Sequence, residues 1–312
     1  MPPKLIVVTG GVGFIGSHVV DLLLDQGHQV LVVDDLSTGS LNNHNSQAEF
    51  HQLDIRSAEA HELILQRRPA VICHLAAQVS VRNSVADPAH DASINILGTL
   101  NLLEAAITAG VEKFLFASTG GAIYGEQDYF PADEAHPPRP VCPYGVAKLA
   151  VERYLYYYQQ EYGLNYVALR YANVYGPRQD PYGEAGVVAI FTEKMLHGEQ
   201  AVINGDGLQT RDFVFVKDVA RANLLALNGD IQGEINIGTG RETDINTLFN
   251  YLKELTGATL AEYHGPPKSG EQRRSVIDFG RAKRQLGWEP QTSLTDGLTA
   301  TVEYFRQRCA PY

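Results

Sequence analysis

The chain has 312 residues, of which 44% are hydrophobic and 20% are charged, and its formal net charge is −11. This length suits two domains, or one large α/β body with an attached lobe. The negative charge argues against a nucleic-acid-binding surface and against broad attraction to anionic membranes. No apolar run reaches the roughly 18 residues that span a bilayer, and the N-terminus has no small-residue cleavage site.

Cys73, Cys142 and Cys309 are widely spaced, and no metal-ligand spacing is present. We therefore expect reduced thiols, a cytoplasmic location and no bound metal.

Short β-branched runs alternate with longer amphipathic stretches in the first half of the chain. The pattern predicts strands at 5–9, 29–35, 70–75, 113–118 and 165–177, and helices at 14–26, 91–108 and 143–163. Nearly continuous apolar strands separated by helices indicate a parallel sheet that is covered on both faces. Beyond this half the alternation loosens. We predict one domain over residues 1–170 and a second over 171–312, although segments near 211–240 could return to the first.

A glycine-rich segment, TGGVGFIGSH, follows the first strand and opens the first helix. Gly11, Gly13 and Gly16 fit the pattern G-x-G-x-x-G, and Gly10 adds a further flexible position. Glycine lets the backbone turn tightly and approach a pyrophosphate, whose charge suits a helix N-terminus. A glycine-rich turn without a ligand is the alternative. However, an acidic residue, Asp34, ends the next strand, as this dinucleotide fingerprint requires.

The acidic residues after the second and third strands indicate which dinucleotide binds. Asp34 would accept hydrogen bonds from the adenosine ribose hydroxyls. A phosphate there would face both Asp34 and Asp35, so NAD is predicted rather than NADP. Asp35 alone resembles a solvated turn residue. Asp54 is placed to touch the adenine edge or, equally, to cap a helix. The predicted fold is α/β, a Rossmann-type doubly wound parallel sheet with a smaller mixed α/β substrate lobe.

The segment PYGVAK places Tyr144 four positions before Lys148, so both share one face of a helix. A nearby ammonium group favours the phenolate and lowers the tyrosine pKa, which brings proton transfer into reach near neutral pH. The alternative is a pair of surface residues, but of the 16 tyrosines only Tyr144 has a lysine at this spacing. The other tyrosines of this helix are predicted to be core or subunit contacts: Tyr154, Tyr156, Tyr157, Tyr158 and Tyr162.

Several motifs occur in one order: TGGVGFIGSH, HLAAQ, ASTGGAIYG, PYGVAK, NVYGPRQDP, RDFVFVKDVARA and RRSVIDFGRAKRQLGW. Together they resemble the extended short-chain dehydrogenase/reductases, specifically the UDP-glucose 4-epimerase group, over nearly the whole chain. The resemblance implies an NAD-dependent isomerase of galactose metabolism that interconverts UDP-galactose and UDP-glucose through a 4-keto sugar. It also implies a homodimer formed by the Tyr144 helix and the stretch near 91–108. The cofactor-binding residues that it implies are Gly10, Gly11, Gly13, Phe14, Ile15, Gly16, Asp34, Asp35, Asp54, Ile55, Leu75, Ala76, Ala77, Tyr144 and Lys148.

The same resemblance implies a catalytic hydroxyl after the fourth predicted strand, where KFLFAST places Ser118 and Thr119. Thr119 is preferred because a hydroxyl at the strand end should hydrogen-bond the reacting sugar oxygen. Ser118 is the fallback, and either hydroxyl could instead satisfy turn backbone. Family dehydratases carry an Asp-Glu pair directly after this hydroxyl. Gly120 and Gly121 can supply neither acid nor base, so dehydration is disfavoured, and a carboxylate of the kind found in decarboxylases is also missing.

The resemblance further implies that the second lobe holds the UDP-sugar substrate. Asn173 would touch the diphosphate or sugar, backbone at Val188 and Ala189 would lie near uracil, and the Arg211 fork would bind diphosphate oxygens.

The resemblance implies substrate-binding cations nearer the C-terminus as well: Lys268, which would offer a point charge in place of an arginine fork, Arg273 and Arg274. At least one of the two arginines should help to bind the diphosphate, and solvent-exposed ion pairs are the alternative. Ser275 falls at a position that limits sugar size, so UDP-N-acetylglucosamine is predicted to be accepted as well. The alternatives are another NAD-dependent nucleotide-sugar oxidoreductase or epimerase, and a non-catalytic NAD-binding regulatory protein.

Overall fold

The computed structural model describes residues 2–182, 186–267 and 272–309. The strands are β1 (Leu5–Thr9), β2 (Gln29–Asp34), β3 (Glu49–Gln52), β4 (Val71–His74), β5 (Lys113–Thr119), β6 (Asn165–Tyr171), β7 (Asn173–Tyr175), β8 (Ile203–Asn204), β9 (Thr210–Arg211), β10 (Phe213–Phe215), β11 (Gly233–Ile237), β12 (Thr243–Asp244), β13 (His264–Gly265) and β14 (Arg274–Ser275). The helices are α1 (Phe14–Asp25), α2 (Ala58–Arg67), α3 (Val81–Ala86), α4 (Pro88–Ala92), α5 (Thr99–Ala109), α6 (Gly120–Ile123), α7 (Pro143–Tyr162), α8 (Val187–Leu196), α9 (Val216–Asn228), α10 (Ile245–Thr256), α11 (Gly280–Leu286) and α12 (Leu294–Cys309). A short 3₁₀ turn spans Leu41–Asn43, and a π-helical segment, Ser93–Gly98, joins α4 to α5.

A seven-stranded parallel sheet in the order β11-β6-β5-β4-β1-β2-β3 forms the centre of the molecule. Successive residues of β1 point to opposite faces: Ile6 and Val8 join one apolar core, and Val7 joins the other. The first core packs under α1, α9 and α11, and the second under α2, α5 and α7. Helices on both faces of a parallel sheet confirm the predicted doubly wound fold.

The predicted strand over 165–177 is wrong as a single element, because the chain changes partners at Ala172. The Ala172 amide donates to Ile237 O at the end of β11, whereas the Asn173 amide donates to Asp212 O. β6 therefore stays in the central sheet and β7 pairs with β10. This break directs the chain out of the sheet and into the lobe.

The described residues of the lobe form three small sheets, ordered β10-β7, β12-β9-β14 and β13-β8. Its core is formed mainly by α8, α10 and α12, with Phe191, Phe249 and Val302 among the buried side chains. The segment between the small sheets returns to the central body, since α9 packs on α1 and β11 lies beside β6. α11 also lies there, because Ala282 and Leu286 belong to the core under α9. The lobe is therefore not one continuous stretch after residue 170.

Within the described residues, the helical run Pro88–Ala109 is long and apolar enough to cross a membrane by length and composition. The sequence analysis expected no such stretch because it considered only uninterrupted apolar runs. In the structure, Leu102 and Ala106 of this run are buried in the same core as Ile64 of α2 and Val151 of α7. Packing inside the protein accounts for the apolar character of this buried part, whereas Leu97 of the same run is exposed.

Candidate active site

The glycine-rich turn between β1 and α1 is built where side chains have no room. Gly10 has a φ of 69°, and a Cβ there would lie 2.7 Å from Ala76 N. A Cβ on Gly16 would lie 2.0 Å from Gly10 O. A Cβ on Gly13 would meet only Gly10 O, at 3.1 Å, among the described residues, so this side of the turn is open. Gly13 precedes the first-turn amides of α1, which no side chain caps in the part of the chain that the structure describes. This cradle fits the pyrophosphate of a dinucleotide.

Asp34 is buried at the end of β2, beside that turn. Its Oδ2 accepts from Val12 N at 3.2 Å and its Oδ1 accepts from Leu36 N at 2.9 Å. Burial raises the pKa of this carboxyl, and the two amides oppose that shift. Asp35 is exposed and accepts from Ser37 N at 2.9 Å, as a turn residue does. Asp34 is thus the oriented carboxylate, while Asp35 adds negative charge near it.

Asp54 and Ile55 have other partners in this structure. Both Asp54 oxygens lie 3.0 Å from Arg56 Nε, and this pairing lowers the pKa of Asp54. The helix cap that Asp54 might have formed is made by Ser57 instead. The Ile55 side chain is buried in the core, and its carbonyl accepts from Asn101 Nδ2 at 2.8 Å. The Ile55 side chain is therefore not available to a ligand.

A buried histidine links the glycine turn to the loop after β4. Ala76 N donates to Thr9 Oγ1, and Thr99 Oγ1 donates to Asn95 O. Thr9 must then donate to His74 Nδ1, 2.7 Å away, and His74 Nε2 must donate to Thr99, 2.9 Å away. Burial lowers the His74 pKa to about 3, so the ring is neutral and suits this chain of bonds. The loop so held contains the half-buried candidates Leu75, Ala76 and Ala77.

Tyr144 and Lys148 lie together on α7. Lys148 Nζ donates to Ala117 O at 2.9 Å and lies 5.7 Å from the centroid of the Tyr144 ring. Burial lowers the Lys148 pKa to about 8, although Asp91 and Glu152 raise it. Burial also raises the pKa of Tyr144, so the expected lowering is wrong for this structure, because the cost of desolvating a phenolate dominates. Burial thus favours the neutral form of both side chains, and their two pKa values move apart.

The two hydroxyls at the end of β5 have different surroundings. Ser118 is buried, and its Oγ donates to Glu152 Oε1 at 2.7 Å, which argues against Ser118 as a catalytic group. Thr119 is half-buried and caps α6 at 3.1 Å. A Cβ placed on Gly121 would lie 3.8 Å from Thr119 Oγ1 and 3.7 Å from Asn173 Oδ1. Thr119 and Asn173 therefore border the same space.

The two glycines after Thr119 differ in the room that they leave. A Cβ on Gly120 would lie 2.6 Å from Ile277 Cδ1, so packing opposes any side chain there. Gly121 instead adjoins the space between Thr119 and Asn173. Neither position supplies an acid or a base.

Three of the predicted substrate residues meet at Asp212, which the sequence analysis did not identify. The Asn173 amide donates to Asp212 O at 2.9 Å, and the Asp212 amide donates to Ser275 O at 2.9 Å. Ser275 lies opposite Arg211 in the pairing of β14 with β9. Arg211 is half-buried, and its Nη1 donates to Thr210 O at 2.7 Å. The only local signal for Asp212 was its position next to Arg211.

The two arginines of the predicted cationic cluster near the C-terminus pair with acidic side chains. Arg273 is exposed and binds both oxygens of Asp206, at 2.7 and 2.9 Å. Arg274 binds both oxygens of Glu242, at 2.9 and 2.7 Å, and its guanidinium lies 3.7 Å over the Phe130 ring. Both arginines form exposed ion pairs, so the expectation that one of them holds a diphosphate is not supported.

Val188 and Ala189 lie in the first turn of α8 with buried side chains. Among the described residues no side chain caps this helix start, so the backbone amides are the groups that could meet a ligand. Lys268 lies outside the described residues.

A model of the NAD dependent epimerase/dehydratase family matches residues 6–238. A UDP-glucose 4-epimerase from Thermotoga maritima, solved with UDP-glucose, is 55% identical with a TM-score of 0.96, covering 98% of this chain and 100% of that one. A UDP-glucose 4-epimerase from Thermus thermophilus, solved with NAD, is 45% identical with a TM-score of 0.92, covering 97% and 99%. A UDP-glucose 4-epimerase from Mycolicibacterium smegmatis is 46% identical over 309 residues, covering 97% of this chain and 98% of the relative.

Proposed function

Because the chain belongs to the NAD-dependent epimerase/dehydratase family, among the extended short-chain dehydrogenase/reductases, we propose that it is an isomerase that interconverts UDP-galactose and UDP-glucose. The observation that carries this proposal is the pairing of half-buried Tyr144 with buried Lys148, with Thr119 followed by two glycines in place of an acid and a base. A proton-transfer group without dehydratase machinery suits reversible oxidation at one carbon.

The described residues would hold the cofactor through three contacts. The open side of Gly13 and the first amides of α1 would take the pyrophosphate, and Asp34 would bind the adenosine ribose. Lys148 would hydrogen-bond the nicotinamide ribose. When bound, NAD would supply the reversible hydride acceptor needed for oxidation and reduction at C4 of the sugar. Because the cofactor is regenerated in each turnover, tight retention is expected.

The protein's own part in the reaction is to move one proton. Tyr144 Oη would take the proton of the sugar 4-hydroxyl during oxidation and return it during reduction, so each cycle closes without a net proton. The Lys148 ammonium, held by Ala117 O, lies beside the ring and would stabilise the phenolate form. Thr119 would hydrogen-bond the same sugar oxygen.

Inversion requires that the 4-keto sugar turn while its nucleotide stays bound. We assign the grip on the diphosphate to Arg211 and Asn173, and the contact with the base to the backbone at Val188 and Ala189. Firm contacts concentrated on the nucleotide leave the hexose freer to rotate.

Incubation of the purified protein with UDP-galactose, without added cofactor, tests the proposal. UDP-glucose should accumulate to an equilibrium mixture, with no net formation of NADH. Product formation that requires added NAD and consumes it in proportion would favour a nucleotide-sugar oxidoreductase. Binding of NAD without any turnover would favour a regulatory protein.

A second substrate class is proposed from Ser275, a small buried residue whose carbonyl is fixed by Asp212. Its size leaves room for an N-acetyl group, so UDP-N-acetylglucosamine should also be epimerised. Ser275→Tyr should suppress that activity and retain turnover of UDP-galactose, which serves as the internal control. Lack of exchange on the N-acetylated sugar by the unmodified protein would contradict this second proposal.

We also infer a homodimer through α7 and the 88–109 run. Tyr156 and Tyr157 on α7, and Leu97 on the run, are exposed by 53%, 49% and 61%. Tyr158, in contrast, is buried and hydrogen-bonds Glu104. Exposed apolar and aromatic side chains of this kind favour association. Sedimentation showing only monomer at micromolar concentration would argue against the dimer.

A cytoplasmic location is proposed as well. It is supported by the free thiols of Cys73 and Cys142, which suit a reducing compartment.

A further inference from the structure

Glu152 is a fully buried carboxylate on α7 that the proposed reaction does not use. Its Oε1 accepts from Ser118 Oγ at 2.7 Å and from Arg170 Nε at 2.9 Å. Its Oε2 accepts from Arg170 Nη2 at 2.6 Å. The carboxylate is thus held by three donors from two neighbouring strands, β5 and β6.

The same hydrogen-bond network continues across the sheet. Arg170 Nη1 donates to Tyr124 Oη at 2.9 Å, which donates to Asn236 Oδ1 at 2.7 Å. Asn236 Nδ2 then donates to Ala132 O at 3.1 Å. Buried ion pairs commonly add little net stability compared with apolar packing, while removal of one partner is costly. Such a network instead fixes one arrangement of the elements that it joins.

The placement of Glu152 connects this network to the proposed catalytic pair. Tyr144, Lys148 and Glu152 occur at intervals of four residues, so they share one face of α7. Lys148 bonds to Ala117 of β5, and Glu152 bonds to the next residue along that strand, Ser118. The residue after Ser118 is Thr119, so α7 and the end of β5 are joined directly beside the proposed reaction centre.

We propose that Glu152 is a positioning residue which, with Ser118 and Arg170, fixes the position and orientation of α7 relative to the central sheet. In this arrangement Tyr144 and Lys148 face the substrate together with Thr119. This inference rests on the proposed function. Misplacement of a catalytic group by about 1 Å can lower the rate on the order of 100-fold, so contacts that hold α7 in place should affect kcat.

Glu152 also contributes charge near Lys148. The titratable and charged groups around Lys148 are Asp91 of α4, Glu152 and Tyr144 of α7, His74 of β4, and Arg170 of β6 through its pair with Glu152. Asp91 and Glu152 raise the Lys148 pKa, and neutral His74 leaves it unchanged. A Glu152→Gln change would remove one negative charge and leave Arg170 uncompensated. Lys148 would then lose its proton at a lower pH.

The test uses the NAD-bound protein and compares Glu152→Gln, Ser118→Ala and the double variant. Each single variant should lower kcat about tenfold or more with KM for UDP-galactose within about twofold, because substrate contacts are unchanged. Glu152→Gln should also move the alkaline limb of the kcat–pH profile to lower pH. The double variant should lose less than the product of the two single losses, since both changes break one network.

Ser84→Ala provides the matched control, because Ser84 is buried on α3 and its hydroxyl bonds only Val81 O, at 2.7 Å, among the contacts described. Its kinetics should match the unmodified protein. If Glu152→Gln fails to fold, Ser118→Ala alone decides, since it removes one hydroxyl and keeps the ion pair. Folded variants with unchanged kcat and pH profile, or with independent losses, would overturn the inference. An inactive unmodified protein would instead contradict the proposed function.

Discussion

The catalytic and substrate sides of the site are each organised by one buried acid, but by different kinds of contact. Glu152 acts through side chains: a serine hydroxyl and an arginine fork meet its carboxylate. Asp212 acts largely through the backbone, accepting from the Asn173 amide and donating to Ser275 O. Its carboxylate accepts from Thr239 N and Oγ1, Gly240 N and Ile277 N.

The difference reflects how each side is assembled. The proposed catalytic pair lies on one helix, so a single side-chain clamp is enough to aim it. The substrate side joins β7, β9 and β14, which are remote in sequence. Asp212, between β9 and β10, ties their backbones together. Changes on the first side should therefore appear mainly in kcat, and changes on the second mainly in KM.

Tyr144→Phe should produce the largest effect and the cleanest test of the catalytic side. Loss of the proton-transfer group should lower kcat by about 10²- to 10⁴-fold, with little change in KM. Tyr175→Phe is the matched control, because it removes a tyrosine hydroxyl that donates to Leu294 O at 3.2 Å in the lobe core. Initial rates and NAD content measure the outcome. Near-normal turnover by Tyr144→Phe would break the assignment.

The same difference, between a catalytic side on one helix and a substrate side built from distant strands, explains which features could be predicted from the sequence. The glycine turn, Asp34 and the Tyr144–Lys148 pair lie within short motifs, and their spacing carries the geometry. The ion pairs of Arg273 and Arg274 could not be predicted, because their partners, Asp206 and Glu242, are 67 and 32 residues away.

Two further points depended on contacts that are distant in sequence. The choice between Ser118 and Thr119 rested on Glu152, which lies 34 residues from Ser118. Asp212 was missed because its function comes from contacts with Thr239 and Ile277, which only the folded lobe brings close.

Asp212→Asn tests the substrate side, where changes are expected mainly in KM. An asparagine offers one acceptor oxygen to donors that the carboxylate now shares, so the strands around Asn173 and Ser275 should loosen. We expect KM for UDP-galactose to rise about tenfold with a smaller fall in kcat, a loss of the size of one or two hydrogen bonds. Thr301→Val, a buried change in α12, should leave both parameters unchanged. A fall in kcat alone would contradict the division.

The pH dependence of KM tests the role of Asp212 independently. Burial raises the Asp212 pKa to about 6, so the carboxylate gains a proton as pH falls through that value. Protonation converts an acceptor into a donor facing the Thr239 and Gly240 amides. KM should therefore rise below about pH 6 in the unmodified protein and stay flat in Asp212→Asn. A KM that is independent of pH in both proteins would contradict the role of Asp212 in organising the substrate side.

The smallest expected effects come from the two glycines that lie where the sides meet. Gly120→Ala should lower the free energy of unfolding by about 1 kcal/mol, because the new methyl would press on Ile277 Cδ1, 2.6 Å away. Gly121→Ala would make ordinary contacts with Thr119 and Asn173, at 3.8 and 3.7 Å, and should keep the melting temperature. Its methyl would enter the space shared by both sides, so we expect a change of about two- to fivefold in kcat/KM. Thermal melts and initial rates on the pair separate packing from substrate contact. If Gly121→Ala changes only stability and Gly120→Ala changes only turnover, the catalytic and substrate sides do not meet at the space beside Gly121.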